Sequence, residues 1–252
     1  MARRRRNKRY RRSRLTVPLR FLSFLLICGA IAAALILFFK VQTVIVDGNE
    51  RYTDQEVLDV AQIQIGENMF LLNKYAISGQ ITSQLPYVQS VQIRRGLPDT
   101  IYIRVEECTP VAAVIQGDTA WLVSRKGKLL EEMAASQVSG YPQIFGCELL
   151  LPTVSSTMSL PQDGNITMDR LMELVDCLES RGMLDKTQSI DCSDPDLLVL
   201  HYADRFEVQM LYDADFNKKL YALEQIIAQL QENEKGTVIL TMPDKSSFKP
   251  AR

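Results

Sequence analysis

Between residues 100 and 107 the chain reads TIYIRVEE, which sets Ile101, Ile103 and Val105 on one side of a strand and Tyr102, Arg104 and Glu106 on the other. VQSVQIRR over 88–95 precedes it, and Gly96 with Pro98-Asp99 breaks the chain between the two runs, so together they predict a half-buried antiparallel hairpin. Upstream, VQTVIV over 41–46 predicts a short strand closed by the turn cluster Asp47-Gly48-Asn49. Thr53 followed by Glu56 is a capping box, in which hydroxyl and carboxylate each satisfy an orphan backbone donor, and the helix it starts carries Val57, Val60 and Ala61 on one face. Ile77, Ile81 and Leu85 then recur every four residues and stop at Pro86, predicting a second helix. The order is β-α-α-β-β.

Beyond residue 114 the pattern is looser. TAWLVSRKGKLLEE predicts two short strands around Lys126-Gly127. Thr167 caps a helix with Leu171, Leu174, Val175 and Leu178 on its inner face, ended by Gly182. DLLVLHYADRFEVQML reads as a hairpin turning near Asp204, and Phe216, Leu220, Leu223, Ile227 and Leu230 mark a last helix. Gly236 releases the chain into TVILTM over 237–242, a strand stopped by Pro243, and 244–252 reads as a short polar tail. The predicted class is α+β.

The N-terminal region changes the picture. Residues 21–39 contain no charged side chain, and a helix of nineteen residues at about 1.5 Å each covers roughly 28 Å, close to a bilayer's hydrocarbon thickness. Residues 1–20 carry ten Lys or Arg and no acid, so a formal net charge of -1 conceals a remainder of 19 basic and 30 acidic residues. That bias predicts a cytoplasmic tail over 1–20, a single transmembrane helix over 21–39 and everything after Lys40 outside the cell membrane. A cleavable signal peptide is disfavoured because LILFF continues past the small-residue run at 30–34. The tail has one aromatic, Tyr10, and no motif, so specific nucleic-acid binding is not predicted.

The run YVQSVQIRRGLPDTIYIRVEECTPVAAV, directly outside an anchor, resembles the POTRA domain of the FtsQ/DivIB bacterial division proteins. Val91, Ile93, Arg94, Pro98, Thr100, Ile103, Val105, Glu106, Pro110 and Ala112 carry the resemblance. YPQIFG over 141–146 is also similar to the family, whereas Ser124 and Arg125 depart from its acid-and-glycine turn. The resemblance implies a POTRA domain over 41–109 and a β-rich FtsQ/DivIB-type domain with flanking helices over 110–243. It further implies a non-catalytic scaffold at the division septum that docks FtsB/DivIC-like and FtsL-like single-pass partners and regulates septal peptidoglycan synthesis. An export or assembly component with a POTRA domain is the alternative, and an anchored cell-wall enzyme a more distant one.

The candidate chemistry supports binding over catalysis. The one histidine, His201, lies out of phase with Leu198, Leu200 and Tyr202, and no nucleophile-base, zinc-protease or phosphate-loop signature accompanies it. Asp191, Asp194 and Asp196 lack the glycine and distal glutamate of an EF-hand, so a solvated turn is expected and neither metal nor cofactor is predicted. Cys108, Cys147, Cys177 and Cys192 allow two bridges in any of three pairings, but a domain of this size holds without them and free thiols are favoured. A sheet edge is a template for a partner strand. The uncharged last strand, Thr237, Val238, Ile239, Leu240, Thr241 and Met242, is the candidate edge, with Val238, Leu240 and Met242 facing the core. Arg94, Arg95 and Arg104 are candidates for charge complementarity.

Overall fold

The computed structural model describes residues 16–242 and 245–251; the arginine-rich segment 1–15 and residues 243, 244 and 252 lie outside it. The first described element is helix α1 (Thr16–Phe38), in which the side chains at 16–19, 32, 36 and 37 are not described. Among the described residues no helix is long and apolar enough to cross a membrane. The transmembrane helix expected over 21–39 thus falls partly on positions outside the description.

Strand β1 (Thr43–Asp47), helices α2 (Asp54–Ala61) and α3 (Lys74–Gln84), and strands β2 (Val88–Gly96) and β3 (Thr100–Glu107) build a three-stranded sheet in the order β1-β3-β2. β1 runs parallel to β3, and a parallel pair needs a crossover, which the two helices supply. Both helices begin at the caps their sequences encode. Glu56 N donates to Thr53 Oγ1 at 3.3 Å while Thr53 N donates to Glu56 Oε2 at 2.8 Å. Asn73 Oδ1 accepts from Ala76 N at 3.2 Å at the head of α3. Val57, Ala61, Ile77 and Ile81 then pack on Ile101, Ile103 and Val105, the alternate residues of the central strand. The first strand starts two residues later than its pattern suggests, because Val41 is engaged elsewhere: its N–H donates to Glu67 O and its carbonyl accepts from Gly66 N, both at 2.8 Å.

The remaining strands form one nine-stranded sheet, in the order β12-β11-β10-β9-β8-β7-β4-β5-β6. These are β4 (Pro110–Gln116), β5 (Thr119–Ser124), β6 (Leu129–Ala134), β7 (Gln143–Phe145), β8 (Thr187–Asp191), β9 (Leu198–Tyr202), β10 (Phe206–Met210), β11 (Gly236–Ile239) and β12 (Ser247–Pro250). Helices α4 (Met168–Ser180) and α5 (Phe216–Ile227) cover one face, where Leu171, Leu174, Leu178, Phe216, Leu220 and Leu223 are buried against the strands. β4 was hidden from a period-two reading because it is buried on both sides, whereas β5 and β6 form around Lys126-Gly127 as their sequence predicts. Val111, Ala112 and Val114 join the helix-covered core, while Ala113, Leu122 and Leu130 pack against Tyr87 of the first module.

Four expectations are corrected. Within the expected polar tail, Ser247–Pro250 is a strand, β12, paired antiparallel with β11. The last apolar strand is consequently flanked on both sides, by β10 and β12, and is not a free edge. Met242 is 58% exposed rather than core-facing, since the ladder ends at Ile239 and only Leu240 N follows, bonding Gln209 O. Asp191 belongs to β8 and not to a turn, although Asp194 does cap one, accepting from Asp196 N at 2.8 Å and Leu197 N at 2.9 Å.

Candidate docking surfaces

With β11 interior, the sheet ends at β12. Ala251 N donates to Lys235 O at 2.8 Å, which makes 235 and 251 a hydrogen-bonded pair of the antiparallel ladder. Counting by twos, Lys249 and Ser247 point their backbone groups inward to Thr237 and Ile239, whereas Phe248 and Pro250 point theirs outward. Pro250 occupies a position where a missing N–H interrupts no pairing, as edge prolines do. Phe248 presents its N–H and carbonyl to the open side while its ring meets Phe206 edge-on, centroids 6.2 Å apart. β12 lies close to β11 because Gly236 has no side chain. A Cβ there would stand 2.1 Å from Lys249 O and 2.9 Å from Pro250 Cα. Thr237 and Ile239 are half-buried on the sheet face away from the helices, and buried Lys219 donates its ammonium to Met242 O where the chain leaves the sheet.

The three arginines do not form one patch. Arg94 and Arg104 share the open face of the small sheet, where the cross-strand rows are Ile45, Tyr102, Arg94 and Asp47, Arg104, Gln92. Arg104 Nη2 pairs with Asp47 Oδ2 at 3.0 Å, an exposed bridge worth little energetically but one that fixes the side chain's direction. Arg95, next along β2, points to the opposite side and serves the fold. Its Nε donates to Met69 O at 2.6 Å, its Nη2 to Leu72 O at 3.2 Å, and its guanidinium faces the Phe70 ring. The parity of adjacent strand residues separates the two arginines.

His201 is exposed on β9 between Ser189 and Glu207 on the neighbouring strands. Among the described residues no group of three His, Cys, Asp or Glu side chains is arranged to hold a metal. All five cysteines are free; the buried thiols of Cys147 and Cys192 hydrogen-bond to each other, an interaction that draws Cys147 down and pushes Cys192 up.

Comparison with known proteins fits this geometry. Residues 39–107, which include the whole three-stranded sheet and both its helices, match the family model described as POTRA domain, FtsQ-type. The cell division protein FtsQ of Syntrophotalea carbinolica is 27% identical over 197 residues, covering 77% of this chain and 67% of the relative. The cell division protein DivIB of Clostridium acetobutylicum is 29% identical over 204 residues, covering 80% of this chain and 79% of that one. Residues 39–107 are a POTRA domain of the FtsQ type, and the chain is similar to the FtsQ and DivIB cell division proteins over most of its length. The major extracytoplasmic domain of DivIB from Geobacillus stearothermophilus aligns to 51% of the chain and 98% of that structure, at 18% identity and a TM-score of 0.32.

The POTRA domain is joined to the nine-stranded sheet by polar contacts that sequence reading missed. Lys128, 6% exposed, reaches across the junction from beside β6 and donates its ammonium to Thr82 O at 2.8 Å and Val88 O at 2.6 Å. Thr82 lies in the last turn of α3, where a cation also meets the negative end of the helix dipole. Burial pulls this lysine's pKa down. Beside it, Tyr87 Oη donates to Glu131 Oε2 at 2.7 Å, and Arg51 lies over the Tyr87 ring, 3.6 Å from its centroid.

Burial, reinforced by the Glu131 carboxylate, pushes the Tyr87 phenol up to about 12 from 10.0. A raised folded pKa means that the contribution is whole below pH 10 and is lost as pH rises through about 12. Urea midpoints measured at pH 9 and pH 11.5 are expected to fall less between the two in Tyr87→Phe than in the parent chain. An equal fall in both proteins would remove Tyr87 from the alkaline response.

Proposed function

We propose that this chain is a non-catalytic, membrane-anchored scaffold of the bacterial division machinery. Its occupants are FtsB/DivIC-like and FtsL-like single-pass partners, and its output is regulation of septal peptidoglycan synthesis. The curated relatives named as cell division proteins support the process. The uncharged stretch 21–39, behind an arginine-rich segment, supports an anchor with its N-terminus in the cytoplasm and both sheets outside, concentrated at the septum.

The observation that carries the docking mechanism is the outward backbone row of β12 at the end of the nine-stranded sheet. A partner strand laid against Phe248 gains main-chain hydrogen bonds, and its side chains then meet the half-buried face made by Thr237, Ile239 and Thr241. Val238 and Leu240, both buried, hold that ribbon on the core, and Met242 marks its exposed end. Arg94 and Arg104 offer a separate basic face on the POTRA sheet for an acidic partner segment.

Capture of the two partners by the full chain in membranes tests the reading. Phe248→Pro removes the outward N–H and leaves the inward pairing of Ser247 and Lys249 in place, with Phe248→Leu as the packing control. Gly236→Ala displaces β12 through its carbonyl contact. Both Phe248→Pro and Gly236→Ala are expected to weaken capture at least about tenfold, the equivalent of roughly 1.4 kcal/mol, while Phe248→Leu retains most of it. Undiminished capture by Phe248→Pro overturns the edge as the docking site. A fluorescent fusion spread evenly around the cell, instead of gathered at mid-cell, overturns the scaffold itself.

A further inference from the structure

Outside α1, the loop between α2 and α3 gathers several exposed large apolar side chains. Ile65 is 67% exposed, Phe70 46%, Leu71 77% and Tyr75, at the head of α3, 92%. Leu97, at the tip of the β2–β3 hairpin, is 62% exposed. A soluble surface does not gather such residues without something to cover them.

The position of this loop says what covers it. The loop is tied to the end of α1 and the residues just after it: Asn68 Nδ2 donates to Leu35 O at 3.0 Å, Met69 N donates to Phe39 O at 3.0 Å, and Lys40 forms a bridge with Asn68. The Phe39 and Phe70 rings meet edge-on, 5.2 Å between centroids. Leu35 lies four residues before Phe39, about 6 Å back along the helix, so Asn68 sits level with the last turn of α1 and not beyond it. The hairpin tip is held in the same layer, since Asp99 O accepts from Gln42 N at 2.8 Å and Arg95 grips the carbonyls of Met69 and Leu72.

We propose that residues 65–72, with Leu97, rest in the phospholipid headgroup layer on the outer face of the membrane, so that the POTRA domain lies on the bilayer rather than standing clear of it. This inference rests on the reading of α1 as the anchor. Ile65, Phe70 and Leu71 enter the boundary between headgroups and acyl chains, at the depth of about 5–10 Å where interfacial apolar groups settle. The Tyr75 ring suits the same layer, apolar in body and polar at its tip. Lys40 brings a positive charge to the headgroup layer and Glu67 and Asp99 bring negative ones, while Arg95 is engaged with the carbonyls of Met69 and Leu72. The charge near the loop is therefore mixed, and apolar burial leads the association.

Depth-dependent quenching tests this on the full chain in phosphatidylcholine–phosphatidylglycerol vesicles containing brominated lipids. Leu71→Trp places a reporter at an exposed position, and the native Trp121, 6% exposed in the large sheet, serves as the internal reference that bromine does not reach. Leu26→Trp places a second reporter within α1. The Leu71→Trp signal is expected to shift to the blue and to lose about half its intensity to bromines placed near the headgroups, with a smaller loss to deep ones. Quenching of Leu26→Trp without quenching of Leu71→Trp overturns the seating and leaves the anchor standing. Absence of quenching at both positions removes the anchor and the seating together. A Leu71→Trp signal shielded from lipid bromine and aqueous iodide alike overturns the proposal in favour of a protein occupant.

Discussion

Gly146→Val is expected to destabilise the nine-stranded sheet by at least about 4 kcal/mol, a large share of the 5–15 kcal/mol that holds a typical domain together. Gly146 follows β7 with a φ of +76°, a region that a β-branched residue enters only with strain. The larger cost is steric. A Cβ at this position stands 2.2 Å from Ser193 N and 2.4 Å from Cys192 C, both backbone atoms that no rotamer change can move. Relief requires β8 to shift, which breaks the 2.9 Å bond from Cys192 N to Phe145 O and strains a parallel ladder only three residue pairs long. Gly140→Ala is the control. It has φ +80° but nothing within 4 Å of its Cβ, so it carries the backbone penalty alone, about 1 kcal/mol. Urea unfolding followed by Trp121 fluorescence and circular dichroism measures both; costs within about 1 kcal/mol of each other would show that the close approach does not matter.

The second large effect is at the junction. Lys128→Ala is expected to cost about 3 kcal/mol, because Thr82 O and Val88 O each lose a charge-assisted donor in a buried setting. Lys128→Met keeps the stem's volume and should cost less, though the two carbonyls stay unpartnered in that variant as well. The shape of the transition is the sharper readout. With the ammonium gone, far-UV circular dichroism, which sees both modules, and Trp121 fluorescence, which sees the large sheet, should give separate urea midpoints. Coincident midpoints together with a loss under about 1 kcal/mol would reduce Lys128 to an ordinary surface-type lysine.

How much of this could be read from the residues depended on what each element buries. β3 alternates because one face meets α2 and α3 and the other meets solvent, and both caps of the first module are written in side chains, Thr53 with Glu56 and Asn73. α4 was legible for the same reason, its apolar stripe falling every three or four residues behind Thr167. β4 hides its period because the chain buries both its faces. β12 gives no apolar signal at all, since SFKP sits at the sheet's end and is held by backbone pairing to β11. That one unrecognised ribbon moved the edge from the 237–242 stretch to its neighbour. The separation of Arg94 from Arg95 was available in principle from strand parity. The role of Lys128 was not, because its partners lie 46 and 40 residues away in sequence.

The reach of Lys128 sets a limit on modularity. The residues matched to the POTRA family end at 107, yet the donor that satisfies carbonyls at the end of α3 and the start of β2 comes from the other side of that boundary. A fragment cut at 107 would expose the underside of Tyr87 and leave Thr82 and Val88 to be solvated by water alone. What inheritance treats as a portable cassette is, thermodynamically, the lower half of a larger body.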